Sequence, residues 1–418
     1  MSSSTFKQAI LNKRMLICIF TGFSSGLPLF VLYQLVPGWL RSEGVSLTEI
    51  GLFSLIGIPY VWKFFWSPLM DRYSLGSMGR RRSWMLATQI LLLVSIGAFG
   101  YINPAMDIWS VAYLAAGVAF FSASQDIVLD AYRRELLPEN ELGLGNSIHV
   151  QAYRLSGLVP GSLAFILADH ISWQSVFMIV AAFMVLGIVL TLCIKELDTE
   201  HNAPKSLHEA VVLPFRDFIQ SNGVKTALYT LAFLVLYKLG DNMATALQTP
   251  FFIDMGFSKT EIGVIAKTSS MIAMTIGIIV GGVVMIKLSI NRALWLFGFV
   301  QIASILGFAA LAEIGHNNYA LALAIGFEYL GVGLGTAAFT AFIARATNPA
   351  FAATQIALFT AIAVLPRTFA NATTGIIVEQ IGWTQFYFLC TALAIPGMLM
   401  LFKVAPWNEP QITTGTNS

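Results

Sequence analysis

The sequence predicts an all-α membrane protein with twelve transmembrane helices arranged in two six-helix halves. Hydrophobic residues make up 56% of the 418 residues and charged residues only 11%, which is too little polar surface for a protein surrounded by water. The apolar residues form continuous runs of about 20, the length that crosses a bilayer as a helix. Such runs exclude the short alternating strands of a transmembrane barrel. We place the spans at 15–39, 48–70, 84–102, 109–131, 146–168, 174–194, 225–254, 260–286, 291–313, 318–345, 352–378 and 383–404.

Two short phrases recur in the same order and predict that the halves are duplicates. Residues 46–51 (SLTEIG) return as residues 258–263 (SKTEIG), and residues 169–173 (DHISW) are echoed by residues 379–383 (EQIGW). Membrane proteins built from two like halves usually move solutes. The predicted organisation is an N-terminal half at 1–194, a flexible cytoplasmic linker at 195–224 with a short amphipathic helix near 207–219, a C-terminal half at 225–406 and a tail at 407–418.

The basic residues predict how the chain lies in the membrane. Most of the 24 Lys and Arg residues fall in the tails or the even-numbered loops, whereas the opposite loops hold only Arg41 and Lys259. Loops rich in Lys and Arg remain in the cytoplasm, so we expect both termini there. The first apolar run is too long for a cleavable leader, and no small-residue cleavage site follows it. The chain is therefore expected to be a multi-pass protein of the bacterial inner membrane.

The distribution of Cys and His argues against an enzyme or a cofactor protein. Cys18, Cys193 and Cys390 all fall inside predicted spans, at spacings that suit neither a metal site nor a disulfide. The five His residues are not grouped. We therefore expect no metal and no cofactor. A transport-dead sensor would usually add a signalling domain, and no stretch between spans is long enough for one.

Four acidic residues are embedded in the predicted spans, where a charge costs about 2.5–3.5 kcal/mol on insertion scales. Asp126, Asp130, Asp241 and Glu328 occupy only spans four, seven and ten, which are equivalent positions if each half contains a three-plus-three repeat. This pattern predicts that these spans line one central cavity. Asp126, Asp241 and Glu328 are candidates for proton coupling. Asp130 lies near a span end and can instead cap the helix or pair with a neighbouring arginine.

The embedded basic residues are candidates for binding an anionic solute. Arg154, Lys238 and Arg367 lie well inside spans, whereas Lys63 and Lys267 lie near span ends and can extend to the interface. Lys238 and Asp241 are three residues apart, so they share a helix face. They form either a structural ion pair or a charge pair that opens when substrate or a proton arrives. Arg154 is likewise open to two interpretations, as a substrate ligand or as a structural partner of Asp126.

Uncharged polar residues also interrupt the apolar runs. Amides and aromatic rings bind the hydroxyl groups and flat faces of sugars and the amides of peptides, but single polar residues in bundles also hold helices together. The candidates for substrate contact are Tyr33, Gln34, Gln125 and Asn242.

The connection between spans two and three resembles the loop signature of the major facilitator superfamily. Residues 67–73 (SPLMDRY) are followed by Gly79 and three arginines, with Ser67 in place of the usual glycine and with residues 74–78 lengthening the loop. In that family the acid pairs with arginines and a helix end to hold the two halves together on the cytoplasmic side. The resemblance therefore implies a cytoplasmic gate formed by Asp71, Arg72, Gly79, Arg80 and Arg81. A basic loop that serves only topology is the alternative.

Longer stretches closely resemble the AmpG muropeptide permeases: residues 51–57, 63–73, 79–82, 84–93, 122–128 and 153–155. The resemblance is closest in the first half. It implies a proton-driven importer of N-acetylglucosaminyl-1,6-anhydro-N-acetylmuramyl peptides, a step in cell-wall recycling and, in some bacteria, in β-lactamase induction. The expected partners are the muropeptide, protons and membrane lipid, with no nucleic acid and with a monomeric chain. The alternative is a carrier of another bulky anion, such as a siderophore or an acyl-coenzyme A.

Overall fold

The computed structural model describes residues 12–138, 141–197, 216, 219–220, 223–346 and 352–408, and every regular element in those ranges is a helix. The chain divides into two compact units. The first comprises Met1–His201 with Phe257–Val264, and the second comprises Asn202–Gly256 with Ile265–Ser418. Most of the linker helix predicted near 207–219 and most of the tail from 407 lie outside the described residues; residues 216 and 219 are helical.

The first stretch of the chain, up to residue 197, folds into helices that are joined in several places by tighter or wider helical turns. Turns of 3-10 type occur at Phe53–Gly57, Lys63–Phe65 and Phe99–Tyr101, and π turns occur at Val31–Leu35 and Val159–Leu163. The α-helices are α1 (Lys13–Phe30), α2 (Val36–Ser42), α3 (Leu47–Leu52), α4 (Ile58–Trp62), α5 (Ser67–Arg72), α6 (Arg80–Ala98), α7 (Ile108–Leu136), α8 (Leu142–Ser156), α9 (Ala164–Ala168), α10 (Trp173–Ala182) and α11 (Met184–Cys193).

The second stretch of the chain contributes the remaining helices. The α-helices are α12 (Val224–Leu236), α13 (Leu239–Ala246), α14 (Gln248–Asp254), α15 (Lys259–Glu261), α16 (Lys267–Lys287), α17 (Ile290–Ile314), α18 (Asn318–Ala346) and α19 (Ala352–Val404). The short helix α15 and part of the π turn Ile262–Ala266 that follows it belong to the first unit. The last helix, α19, is two helices joined at Gly382, whose φ of 79° is not helical.

Eight of the described helices are long and apolar enough to cross a membrane. The twelve predicted spans are consistent with this number, because three of them are broken into shorter helices and two are merged. The broken ones are the segments α3–α5, α8–α9 and α12–α14, and the merged ones form α19. Proline and glycine lie at the breaks of the first two of these segments and weaken a continuous helix there.

The two π turns in the first 197 residues are features that the apolar pattern does not predict. Pro28 lies inside α1, and Pro160 lies in the second π turn. Proline has no amide hydrogen to donate to the preceding turn, and a π turn adjusts the hydrogen bonding around it. The two turns contact each other. Because π turns inside α-helices often occur at functional sites, this region is a candidate for one.

The first of the two repeated sequence phrases adopts the same local structure in both places. Ser46 and Ser258 each form a capping box, in which the serine hydroxyl accepts from the backbone of the glutamate three residues later, whose side chain accepts in return. The aromatic residues repeat as well. Trp39, Phe99 and Phe177 have ring-centre separations of 4.9, 5.4 and 6.1 Å. Phe251, Phe308 and Tyr387 in the second unit have separations of 5.0, 5.4 and 6.1 Å, which supports a duplicated origin.

Glycines allow α16 and α18 to approach closely. A Cβ atom on Gly277 would lie 2.5 Å from the Leu330 carbonyl oxygen and 3.1 Å from the Gly333 Cα, both of which are backbone atoms that cannot turn aside. Gly282, on the same helix, has nothing within 4 Å of its Cβ position. Small residues at such crossings let backbones pack against each other in membranes.

We expect Gly277→Leu to destabilise the protein by about 1–3 kcal/mol, because overpacking forces two backbones apart. The measurement is thermal unfolding of the purified protein in detergent. Gly282→Leu is the matched control and should leave the unfolding temperature unchanged. Equal effects of the two substitutions would contradict the close crossing.

Candidate transport site

Asp126 of α7 has close polar partners within the first unit. The Ser25 hydroxyl donates to its Oδ1 at 2.6 Å, and the Lys63 Nζ lies 3.9 Å from its Oδ2. Lys63 therefore extends to this carboxylate rather than only to the membrane interface. No ion pair between Asp126 and Arg154 occurs among the described residues. The side chains of Lys63 and Asp126 are 33% and 16% exposed, so both charges are partly accessible.

Three tyrosines interact with this carboxylate or with one another. Tyr60 and Tyr153 interact electrostatically with Asp126 and with Tyr33. Tyr33 lies in the first π turn and is 46% exposed. The Tyr60 hydroxyl is buried beside the Ser122 hydroxyl, and within the described ranges neither atom has a hydrogen bond of good geometry. Tyr60 is a residue that the sequence analysis did not select.

The remaining candidates of the first unit differ in their surroundings. The Gln125 amide is fully buried and donates to the Ser24 carbonyl at 2.7 Å, which ties α7 to α1. Gln34 lies beside Tyr33 in the π turn and is partly buried. The Arg154 guanidinium is also partly buried, and it makes no hydrogen bond or ion pair with any part of the chain that the structure describes. It is the candidate base best placed to accept an anionic group of a ligand.

In the second unit, four candidates come together. Lys238 Nζ donates to Asp241 Oδ2 at 3.3 Å, which confirms the predicted pairing. Arg367 Nη1 donates to Asn242 Oδ1 at 3.3 Å, and the Asn242 amide donates to the Lys238 carbonyl oxygen. Lys238 separates α12 from α13 and has a non-helical φ of −104°. The broken span therefore places these polar groups together.

Glu328 of α18 is fully buried in the second unit. The Ser304 hydroxyl donates to its Oε2 at 2.7 Å, and its carboxyl group lies within hydrogen-bonding reach of Asp241. Glu328 Oε1 and Asp241 Oδ1 are both buried and have no donor among the described residues. A hydrogen bond between two carboxyl groups requires a proton on one of them. The pair therefore has the chemistry of a proton-binding site.

The internal repeat has apolar residues at the positions equivalent to this buried acid. Offsets of 209 and 210 relate Phe99 to Phe308 and Phe177 to Tyr387. The same offsets relate Glu328 to Ala119 and Val118, both of which are fully buried and apolar. Because the equivalent position of the first unit is filled by an aliphatic residue, the costly burial of the Glu328 carboxyl group favours a functional role for it.

Charged residues at the N-terminal end of α6 form a second polar cluster. Glu196 accepts from the backbone N–H groups of Arg81 and Arg82 at 2.7 and 3.0 Å, and so caps the positive end of the helix. Arg81 Nη2 donates to Glu135 at 2.8 Å. Gly79 has a φ of 94°, and a side chain there would collide with Glu196. The two acids that hold these arginines are residues that the sequence analysis missed.

The predicted gate is thus described only in part. The backbone of Asp71 and Arg72 lies in α5, but their side chains lie outside the described residues. Arg81 is almost fully buried and Arg80 partly so.

A further charged contact involves Glu141, which lies outside the membrane helices. Two hydrogen bonds from Arg14 lower the pKa of the Glu141 carboxyl group.

We expect Glu196→Gln to lower the free energy of unfolding by about 1 kcal/mol, because the charge that caps α6 is lost. Thermal unfolding in detergent measures this effect. Glu43→Gln, at an exposed position near the end of α2, is the control and should have no effect. An unchanged unfolding temperature for Glu196→Gln would show that the cap contributes nothing to stability.

The chain matches a known family of membrane proteins over most of its length. The sequence model of the Major Facilitator Superfamily matches residues 15–314. The chain belongs to this superfamily. Like its relatives in this family, the protein is a membrane transporter and not an enzyme. The partner that it binds is a small-molecule solute.

Individual relatives narrow the family further. The chain is 43% identical to the anhydromuropeptide permease of Escherichia coli strain K12 over 401 residues, which are 96% of this chain and 81% of the permease. It is 46% identical to an uncharacterized protein of Haemophilus influenzae over 425 residues, with 99% of this chain and all of that protein covered. The expected resemblance to the AmpG permeases is confirmed.

The fold is shared with solved major facilitator structures. The crystal structure of the nucleoside transporter NupG superposes with a TM-score of 0.73 at 14% identity, covering 94% of this chain and 99% of that one. The all-helical major facilitator fold predicted from the sequence is thereby confirmed.

Proposed function

We propose that the protein is a proton-coupled secondary transporter that imports anhydromuropeptides from the periplasm to the cytoplasm for cell-wall recycling. The single observation that carries this proposal is the similarity to the E. coli permease, which extends over nearly the whole of this chain. In the proposal the chain works by alternating access as a monomer in the bacterial inner membrane, with both termini in the cytoplasm. The basic residues of the even-numbered loops support that orientation.

The substrate supplies two kinds of chemistry for which the protein has matching groups. Its stem peptide carries carboxylates, and its disaccharide carries hydroxyl and amide groups. We assign the carboxylates to Arg154 first, because this guanidinium makes no ion pair within the described part of the chain. Lys238, Arg367 and Asn242 form the second group, and Tyr33, Gln34 and Gln125 are assigned to the sugar or peptide groups. Charge-assisted hydrogen bonds make arginine well suited to bind carboxylates.

We assign the coupled proton to the Asp241–Glu328 pair. A hydrogen bond between two carboxyl groups requires a proton on one of them, so this pair can hold the transported proton. The Lys238 ammonium, 3.3 Å from Asp241, links this proton to a charge that an anionic solute can attract. Arrival of an anionic substrate at Lys238 would thereby be coupled to the proton held by the pair. Asp126 is a further coupling candidate, since it too is a carboxylate inside the membrane helices.

The cluster at the end of α6 supports a gating role for the loop between spans two and three. In this proposal Asp71, Arg72, Gly79, Arg80 and Arg81 form the cytoplasmic gate, with Glu135 and Glu196 holding the arginines within the first unit. The muropeptides that pass this gate would be the material for cell-wall recycling. In some bacteria this recycling also controls β-lactam resistance.

The experiment that tests the function is uptake of radiolabelled anhydromuropeptide into proteoliposomes with and without an inward proton gradient. We expect uptake above equilibrium only when the gradient is present. An Asp126→Asn variant measured in parallel separates the coupling candidates, since coupling at Asp241 and Glu328 leaves the steady-state accumulation ratio of this variant intact even where its uptake is slower. Failure of folded wild-type protein to take up the compound would contradict the proposed substrate.

A further inference from the structure

We propose that Asp126, Tyr33, Tyr60 and Tyr153 form a carbohydrate subsite in the first unit, which binds a pyranose ring of the substrate. The inference rests on the proposed function and deepens it, because it assigns the sugar and not the peptide to this unit. It also gives Asp126 a role in binding sugar hydroxyl groups, which is separate from its candidacy for proton coupling.

The exposure of the charges supports access of a polar ligand to this cluster. Lys63 is one-third exposed although it lies inside a predicted span. A partly exposed ammonium facing hydrocarbon would cost several kcal/mol, so such residues face either a water-filled space or the membrane interface. Asp126 contacts this ammonium and is itself partly exposed. A solute in that water therefore reaches the carboxylate.

The composition of the cluster is that of a sugar site. The faces of aromatic rings pack against the apolar faces of pyranose rings, and the carboxylate and hydroxyl groups bind sugar hydroxyls. Asp126 Oδ1 accepts from Ser25 and Oδ2 is near Lys63, and a carboxylate of this kind accepts further hydrogen bonds. Tyr33 lies in the π turn and is half exposed.

Unsatisfied polar atoms give an independent indication of a ligand. The hydroxyl oxygens of Tyr60 and Ser122 are both buried and lie beside each other, and neither makes a well-aligned hydrogen bond among the described residues. Buried polar groups without partners are rare in native proteins and costly to leave unsatisfied. Two such hydroxyls beside Asp126 are the complement of a ligand rich in hydroxyl groups.

The test is equilibrium binding of two ligands to the purified full chain by titration calorimetry. The first is the N-acetylglucosaminyl-1,6-anhydro-N-acetylmuramic acid disaccharide without peptide, and the second is the intact anhydromuropeptide. We expect Asp126→Asn to weaken disaccharide binding by at least about tenfold and Tyr60→Phe by about three- to tenfold. Tyr113→Phe is the matched control, because Tyr113 lies on α7 and is 75% exposed away from the cluster, and its affinity should equal that of wild type.

The outcomes separate the subsite from the proposed function. Wild-type binding of the intact compound together with unchanged disaccharide affinity in both variants would overturn the subsite alone. Failure of folded wild type to bind the intact compound would overturn the proposed substrate as well. Tyr60→Phe removes a single oxygen, so it keeps the test decisive if loss of the Lys63 partner prevents Asp126→Asn from folding. The stabilisation of each folded variant by the disaccharide in thermal unfolding should fall in parallel with its affinity.

Discussion

Replacement of Glu328 by Gln should abolish accumulation of the substrate against its gradient. For one proton per solute, a gradient of one pH unit supports about tenfold accumulation, since it is worth about 1.4 kcal/mol. Glutamine keeps the shape and an acceptor for the Ser304 hydroxyl but cannot gain or lose a proton. We therefore expect about tenfold accumulation in wild-type proteoliposomes and none in the variant.

The measurement is the ratio of internal to external radiolabelled anhydromuropeptide at steady state. Exchange of internal for external substrate should persist in Glu328→Gln, because exchange needs no net proton transfer. Glu313→Gln is the matched control, since Glu313 lies at the exposed end of α17 and accepts only from the Thr384 hydroxyl among the described contacts. Undiminished accumulation by Glu328→Gln would remove Glu328 from the coupling mechanism.

Replacement of Arg154 by Gln should weaken binding of the anhydromuropeptide by roughly 10- to 150-fold. A hydrogen bond to a charged group contributes about 1.5–3 kcal/mol, which corresponds to that range of affinities. Because Arg154 makes no ion pair in the part of the chain that the structure describes, its loss should leave no partner unsatisfied in the free protein. The unfolding temperature without substrate should therefore be unchanged.

The KM for uptake and the dissociation constant measure this effect, with Arg154→Lys as the graded control. Lysine keeps the charge but loses the two-pronged geometry of the guanidinium, so its affinity should lie between those of wild type and Arg154→Gln. A fall in thermal stability with unchanged substrate affinity would assign Arg154 a structural role instead.

Apolar runs were sufficient to predict the helical membrane fold, because the length and polarity of a span are imposed by the bilayer itself. They did not predict where a span breaks. The break at Lys238 and the π turn around Tyr33 depend on local hydrogen bonding near proline, glycine and buried charge. Lys238 and Tyr33, two of the candidate site residues, lie in these irregular turns. The parts of the backbone that the sequence predicts least well are therefore ones that carry candidate site residues.

The partners of the embedded charges were also only partly predictable. Lys238 and Asp241 lie three residues apart, and helical periodicity alone pairs them. Asp126 instead pairs with Lys63 and Ser25, which lie on other helices at sequence separations that no local pattern reveals. Glu135 and Glu196 were missed for a similar reason, because they lie near span ends, where an acidic residue has the pattern of ordinary surface charge.

The internal repeat carries information about function as well as topology. Aligning the units by their aromatic residues places Tyr387 opposite Phe177, and Glu328 opposite the apolar Val118 and Ala119. A polar group in one unit at a position where the other is apolar is not required by the shared packing. The contrast between the two units therefore favours a functional role for the Glu328 carboxylate.

The most direct test of the central claim is whether the substrate itself moves protons. Wild-type protein is reconstituted with a pH-sensitive dye inside the liposomes, and anhydromuropeptide is added outside with no imposed gradient. The proposed mechanism predicts that the lumen acidifies with wild type and not with Glu328→Gln. Entry of radiolabelled substrate into wild-type liposomes at constant internal pH would contradict proton-coupled import.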